Sequence, residues 1–159
     1  MITALRHAVV CDHAQYSSTG QLTFIGVAGD AFVVDVIPTA RQVWLGISMD
    51  LDGMESVVTL RVEAPEYDHS LTITVPAGPT NTSFMLPVTV PAGDRGEFIV
   101  SLTNAGGRER EFAQRWRLDA EDGAVRLTGD EAAVVIEAAN TASSAVFAQI
   151  ATQQGASRH

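Results

Sequence analysis

Apolar and polar residues alternate along most of the first 118 positions. Val43, Leu45, Ile47 and Met49 interleave with Trp44, Gly46, Ser48 and Asp50, and Leu71, Ile73 and Val75 with Thr72 and Thr74. A period of two belongs to a strand with one face on a core. Clusters of Gly, Pro, Asp and Ser interrupt the pattern roughly every eight to twelve residues, the spacing of an all-β sandwich or barrel. The pattern predicts strands over residues 3–13, 21–27, 31–37, 42–50, 56–64, 71–75, 84–90, 98–102 and 109–118. About nine strands suffice for two packed sheets, so the expected fold is an all-β, antiparallel β-sandwich. Leu45, Ile47, Leu60, Val100 and Trp116 are the expected core. Pro87 lacks an N–H, which assigns its strand to a sheet edge or a bulge, and Gly26 marks a second irregular position. The stretches PEYDHS and PAGPTNTS read as loops.

The pattern changes after Leu118, where Asp119–Gly123 (DAEDG) reads as a polar break. The chain is therefore divided into a β-sandwich domain, 1–118, and a C-terminal helical or extended arm, 119–159. Asp130 is placed to cap a helix carrying Glu131 in its first turn. Val135, Ala139, Ala142 and Val146 recur at helical spacing, whereas Asn140, Thr141, Ser143 and Ser144 weaken the middle. The competing reading is a hairpin of AVRLT and EAAVVIE around Gly129-Asp130. An isolated helix of this composition is marginal in water. The arm is accordingly expected to dock on a neighbouring subunit or on its own sandwich, burying Val135, Ala139, Val146, Phe147 and Ile150.

Composition narrows the function classes. The chain of 159 residues carries a net charge of −9, and all ten basic residues are Arg. A broad negative field repels phosphate backbones, so general nucleic-acid binding is disfavoured. The absence of Lys removes a P-loop lysine and a Schiff-base lysine. No run approaches 18 uninterrupted apolar residues, so no membrane span is expected. Arg6, His7 and Asp12 interrupt the apolar N-terminal stretch, which reads as a strand and not as a signal peptide. Cys11 is the single cysteine, which suits a reducing compartment, the cytoplasm or a virion assembled there.

Candidate chemistry is sparse. His7, Cys11 and His13 share the parity of one strand face, but four residues of strand span ~13 Å. Ligands of one ion sit ~2.0–2.3 Å from it, so no metal or other cofactor is expected. Cys11 paired with His7, His13 or His69 is a candidate nucleophile and base, without a helix N-terminus or nucleophile elbow to activate it. Asp50, Asp52 and Glu55 around Gly53, and Asp119, Glu121 and Asp122, read as solvated turns too poor in ligands for an EF-hand. Arg108, Arg110, Arg115 and Arg117 interleave with Glu109 and Glu111, a pattern of cross-strand ion pairs. Trp44 occupies the outward parity of a strong strand, where it could bind sugar rings or a neighbouring subunit. The alternative is that a second layer, such as the C-terminal segment, covers it.

The opening strand ending in Cys11-Asp12, the turn into Gly20-Gln21-Leu22, the run Phe24-Ile25-Gly26-Val27 and Pro38 resemble an uncharacterised family of small bacterial and phage β-sandwich proteins. Gly96-Glu97-Phe98-Ile99-Val100 and the closing RWRL also fit, so the resemblance covers roughly residues 3–118. It implies the sandwich fold and supplies no catalytic residues; the segment from 119 onward departs from the short form of that family. The expected function is a non-catalytic structural or interaction protein, a subunit of a homo-oligomer or larger particle such as a phage virion. The alternative is a small-ligand or carbohydrate-binding module using Trp44, Tyr16 or Tyr67. Catalysis by Cys11 ranks below both.

Overall fold

The computed structural model describes residues 1–107 and 112–156. Its strands are β1 (Ile2–Tyr16), β2 (Leu22–Val27), β3 (Ala31–Ile37), β4 (Thr39–Leu51), β5 (Ser56–Ala64), β6 (Tyr67–Val75), β7 (Asn81–Ala92), β8 (Glu97–Asn104) and β9 (Phe112–Arg126). One helix, α1 (Gly129–Ala156), follows. The strands form a four-stranded sheet in the order β2-β1-β4-β7 and a five-stranded sheet in the order β3-β9-β8-β5-β6. The protein is a β-sandwich with a C-terminal helix.

The inward faces follow the alternation. Val43, Leu45, Ile47 and Met49 of β4 meet Val58, Leu60 and Val62 of β5 and Phe98, Val100 and Leu102 of β8 in one buried cluster. Phe98 sits between Phe32 and Trp116, with ring centroids 5.6 and 5.7 Å away. At one end, buried Asn104 of β8 accepts the Ile2 N–H at 2.6 Å and donates to the Ile2 carbonyl at 3.2 Å, linking the two sheets.

Three elements differ from the sequence pattern. β6 begins at Tyr67, so Asp68, His69 and Ser70 are strand residues paired with β5 and not loop. The turn shrinks to Pro65-Glu66, with Glu66 taking the left-handed conformation at φ 59°. β9 runs on through Asp119–Gly123 to Arg126, past the polar break expected after Leu118. Its polar half is held as a strand by β3, through Val33↔Asp119, Val34↔Ala120 and, beyond a register shift, Val36↔Val125. Ladder pairing outweighs the turn preference of these residues. The β3–β9 pair is also parallel, whereas the other pairings are antiparallel. No hairpin joins these two strands, so no turn dictates their direction. The start assigned to the last strand, residues 109–111, lies outside the described residues, as do Arg108 and Arg110.

Ala124–Arg126 completes β9, and the hairpin alternative gives way to a helix from Gly129. Asp130 and Glu131 both lie in its first turn, at the positive end of the helix dipole. The helix packs on β7 and β6, the adjacent edges of the two sheets, and Phe147 enters the main core cluster. The arm thus docks on its own sandwich and closes one open side of it.

Candidate functional site

Several polar side chains meet where α1 crosses the seam between β6 and β7. Tyr67, His69 and Leu71 share the parity of the inward face of β6. At the sheet edge this brings the His69 ring against the helix. The His69 Nε2 lies 3.1 Å from Asn140 Oδ1, and its Nδ1 lies 3.5 Å from Ser144 Oγ. Tyr67 and Phe147 flank the imidazole, with centroids 4.5 and 5.6 Å away. The Asn140 amide also donates to the Glu66 carbonyl at 3.3 Å.

Ser143 is fully buried one turn further on. Its hydroxyl accepts the Thr89 N–H at 3.0 Å and donates to the Thr89 carbonyl at 2.7 Å. Thr89 lies on the outer edge of β7, so both groups point away from β4. Pro87, two residues earlier, directs its nitrogen the same way and forfeits no ladder bond, in keeping with the edge assignment. An unpaired strand edge is a template for aggregation, and Ser143 satisfies one unit of it with a side chain. Asn140 and Ser143 weaken an isolated helix, but here they occupy the stripe Ile136, Ala139, Asn140, Ser143, Phe147 and Ile150 that faces the sandwich. Their helical spacing with the apolar residues was the available signal; composition alone hid it.

Tyr67 is buried, and burial pushes its pKa up to about 12, against a smaller pull from the Ser143 hydroxyl. Ser143 is already committed to the Thr89 peptide. It offers the phenol an electrostatic contact without a hydrogen bond of normal geometry.

The other candidates scatter. Val146 and Ile150 are partly buried against the sandwich core, Ala139 and Phe147 are buried, and Val135 is half-buried without joining the core cluster. Ala142 faces solvent, so the helical set predicted through it is displaced to Ser143. Trp44 is partly buried on the outer face of the four-stranded sheet, where the His13 ring meets it edge-on at 6.0 Å. Two residues along, the Phe24 ring lies over Gly46, where a Cβ would come within 2.2 Å of it. Tyr16 is exposed, but Tyr67 is withdrawn from any sugar platform by its burial.

Cys11 is buried, with its thiol toward the His13 and Trp44 carbonyls at 3.2 and 3.7 Å. Burial raises its pKa above the usual thiol value, the opposite of an activated nucleophile. His7 and His13 are exposed, and His69 is tied to α1. Among the described residues, no three His, Cys, Asp or Glu side chains converge. The acidic turn is occupied by ion pairs: Asp50 with Arg6 at 2.6 Å, and Asp52 with the amino terminus at 2.5 Å. The latter hydrogen bond, followed by the Met54 N–H, lowers the Asp52 pKa. Arg115 pairs with Glu97 at 3.1 Å across β9 and β8, as the interleaved pattern implied. Arg117 reaches Asp30 at 3.5 Å and Asp119 at 3.9 Å.

Among the concavities of the described residues, two lie on or beside β6. A polar cleft of about 590 Å³ on the outer face of the five-stranded sheet is lined by Thr59, Arg61, Asp68, Ser70, Ser101 and Thr103, among others. An apolar groove of about 300 Å³ continues the β6–β7 seam beyond Ile150, between Leu71, Ile73 and Val75 and Phe84 and Leu86. By length and composition, Gly129–Gln153, with mean hydropathy 1.2, is apolar enough to cross a membrane. Here Asn140 and Ser143 of that helix direct their hydrogen bonds to the sandwich edge. Comparison with family models and with curated protein sequences gives no match.

Proposed function

We propose that the protein is a non-catalytic structural or interaction subunit, acting in a homo-oligomer or larger particle such as a phage virion, in the cytoplasm or on the virion itself. The observation that carries this reading is the use made of the Ser–His–Asn cluster. Nucleophilic catalysis needs a hydroxyl with a base free to take its proton. Here the Ser143 hydroxyl is committed to the Thr89 peptide, and Asn140 and His69 fasten α1 to the start of β6. The edge on the far side is blunted as well: Arg41 extends to the Val33 carbonyl at 3.5 Å and stacks over Phe32 at 5.0 Å. A sandwich with managed edges offers faces for association rather than open strands.

The second reading, a carbohydrate- or small-ligand-binding module, rests on the hydroxyl-lined cleft of β5, β6 and β8. Among the described residues, that lining contains no aromatic ring for a sugar to stack on. Light scattering on the purified chain across micromolar concentrations tests the first reading, and titration with a glycan panel tests the second. A defined oligomer is the expected result. A chain that stays monomeric throughout overturns it, and glycan binding by that monomer favours the second reading.

A further inference from the structure

Charge is unevenly distributed over the surface. The chain carries 19 acidic and 10 basic residues, yet residues 71–93 and 138–157 contain none of either kind. The fold brings these two segments together: the first is most of β6, the β6–β7 connection and β7, and the second, as far as Ala156, is the C-terminal part of α1. Between them lies the apolar groove bounded by Ile73, Phe84 and Ile150. Val146, Phe147 and Ile150 pack into the adjoining part of the seam. One turn further, the described part of the helix presents Gln153, which is exposed. Ala138, Ala142, Ala145 and Ala148 give the outer side of the same helix half a small, uncharged surface.

We propose that this face, the groove together with the outer side of the C-terminal half of α1, is the contact between two copies of the chain. The inference rests on the assembly reading above and identifies the surface and the partner. A molecule of net charge −9 repels its own copy wherever carboxylates oppose one another, and like charges across an interface cost several-fold to many-fold in affinity. A two-fold contact sets one patch against itself, so it is best built where the patch carries no charge. A stable contact needs ~800 Å² per partner, under a tenth of the 8688 Å² accessible surface. The rival uncharged stretch, residues 14–29, exposes Ile25 and Val27 but is shorter. It is also kinked by Gly26 at φ 66°, with the Asp12 carboxylate lying where a Gly26 Cβ would be.

The test is sedimentation velocity over a concentration series for the full chain, Ala145→Glu, Met85→Glu and Ile25→Glu. Circular dichroism checks that each variant is folded. Ala145 is exposed on the helix, and its substitution removes no contact to the sandwich. Met85 borders the groove. The expected result is a dimer whose dissociation constant rises about a hundredfold in Ala145→Glu and Met85→Glu, with Ile25→Glu unchanged. Dimers disrupted by Ile25→Glu and not by the other two overturn this interface while leaving the assembly reading intact. A wild-type chain that is monomeric at every concentration overturns both. Flotation of the wild type with zwitterionic vesicles, abolished by Ala145→Glu and without self-association, overturns the proposal in favour of a membrane-facing patch.

Discussion

Replacing Ser143 by Ala should destabilise the protein by about 1.5–3 kcal/mol, whereas replacing its neighbour Ser144 should be nearly neutral. Helix propensity alone says the reverse for Ser143, because Ala is favoured over Ser by about 0.5 kcal/mol in a helix interior. Lost hydrogen bonds outweigh that preference. The Ser143 hydroxyl satisfies both the N–H and the C=O of Thr89. Its removal orphans both groups beneath the helix, at ~1–3 kcal/mol each. Thr89 is only partly buried, so water offsets some of that cost and the lower half of the range applies. Ser144 is exposed and makes only a 3.5 Å contact to His69, so its replacement should stay within about 0.5 kcal/mol. Urea unfolding followed by circular dichroism gives both differences. Hydrogen exchange adds a local readout, since the Thr89 amide should lose its protection in Ser143→Ala. Equal effects at the two serines, or a more stable Ser143→Ala protein, would refute the role assigned to the helix in covering the β7 edge.

Further outcomes follow from the packing and the ionisations. Phe147→Ala should cost about 3–5 kcal/mol in chemical denaturation because the ring lies in the main core cluster; Val134→Ala, on the exposed side of the same helix, should cost under about 0.5 kcal/mol. Gly46→Ala should destabilise by about 1–3 kcal/mol, since the new Cβ meets the Phe24 ring, and Phe24→Leu in the same chain should recover part of the loss. Ultraviolet titration should show a phenolate transition at about pH 12 that Tyr67→Phe abolishes. The fold favours the neutral phenol, so its contribution is complete below the ordinary tyrosine pKa of about 10 and is lost as pH rises towards 12. Asp94 behaves with the opposite sign: the Arg126 hydrogen bond holds its pKa below the ordinary value, so its contribution is present above about pH 4 and fades on acidification. A melting temperature that falls below pH 4 by the same amount in Asp94→Asn as in wild type would contradict that assignment.

Alternation along β4, β5 and β8 determined the sandwich, its core and the edge position of Pro87, because a strand with one buried face must write its period into the sequence. The same logic identified the apolar anchors Ala139, Phe147 and Ile150. Tertiary structure alone decided three matters. Asp119–Gly123 stays in strand because β3, distant in sequence, pairs with Asp119 and Ala120 at its start and with Val125 beyond it. His69 became a seam residue because the Pro65-Glu66 turn is tighter than its loop-like composition implied. Asn140 and Ser143 changed from weak points of a helix into its attachments, because they reach backbone groups of β7 and of the turn before β6. Backbone groups are the same whatever the side chain, so a sequence carries no mark of which of them a folded edge will leave unpaired.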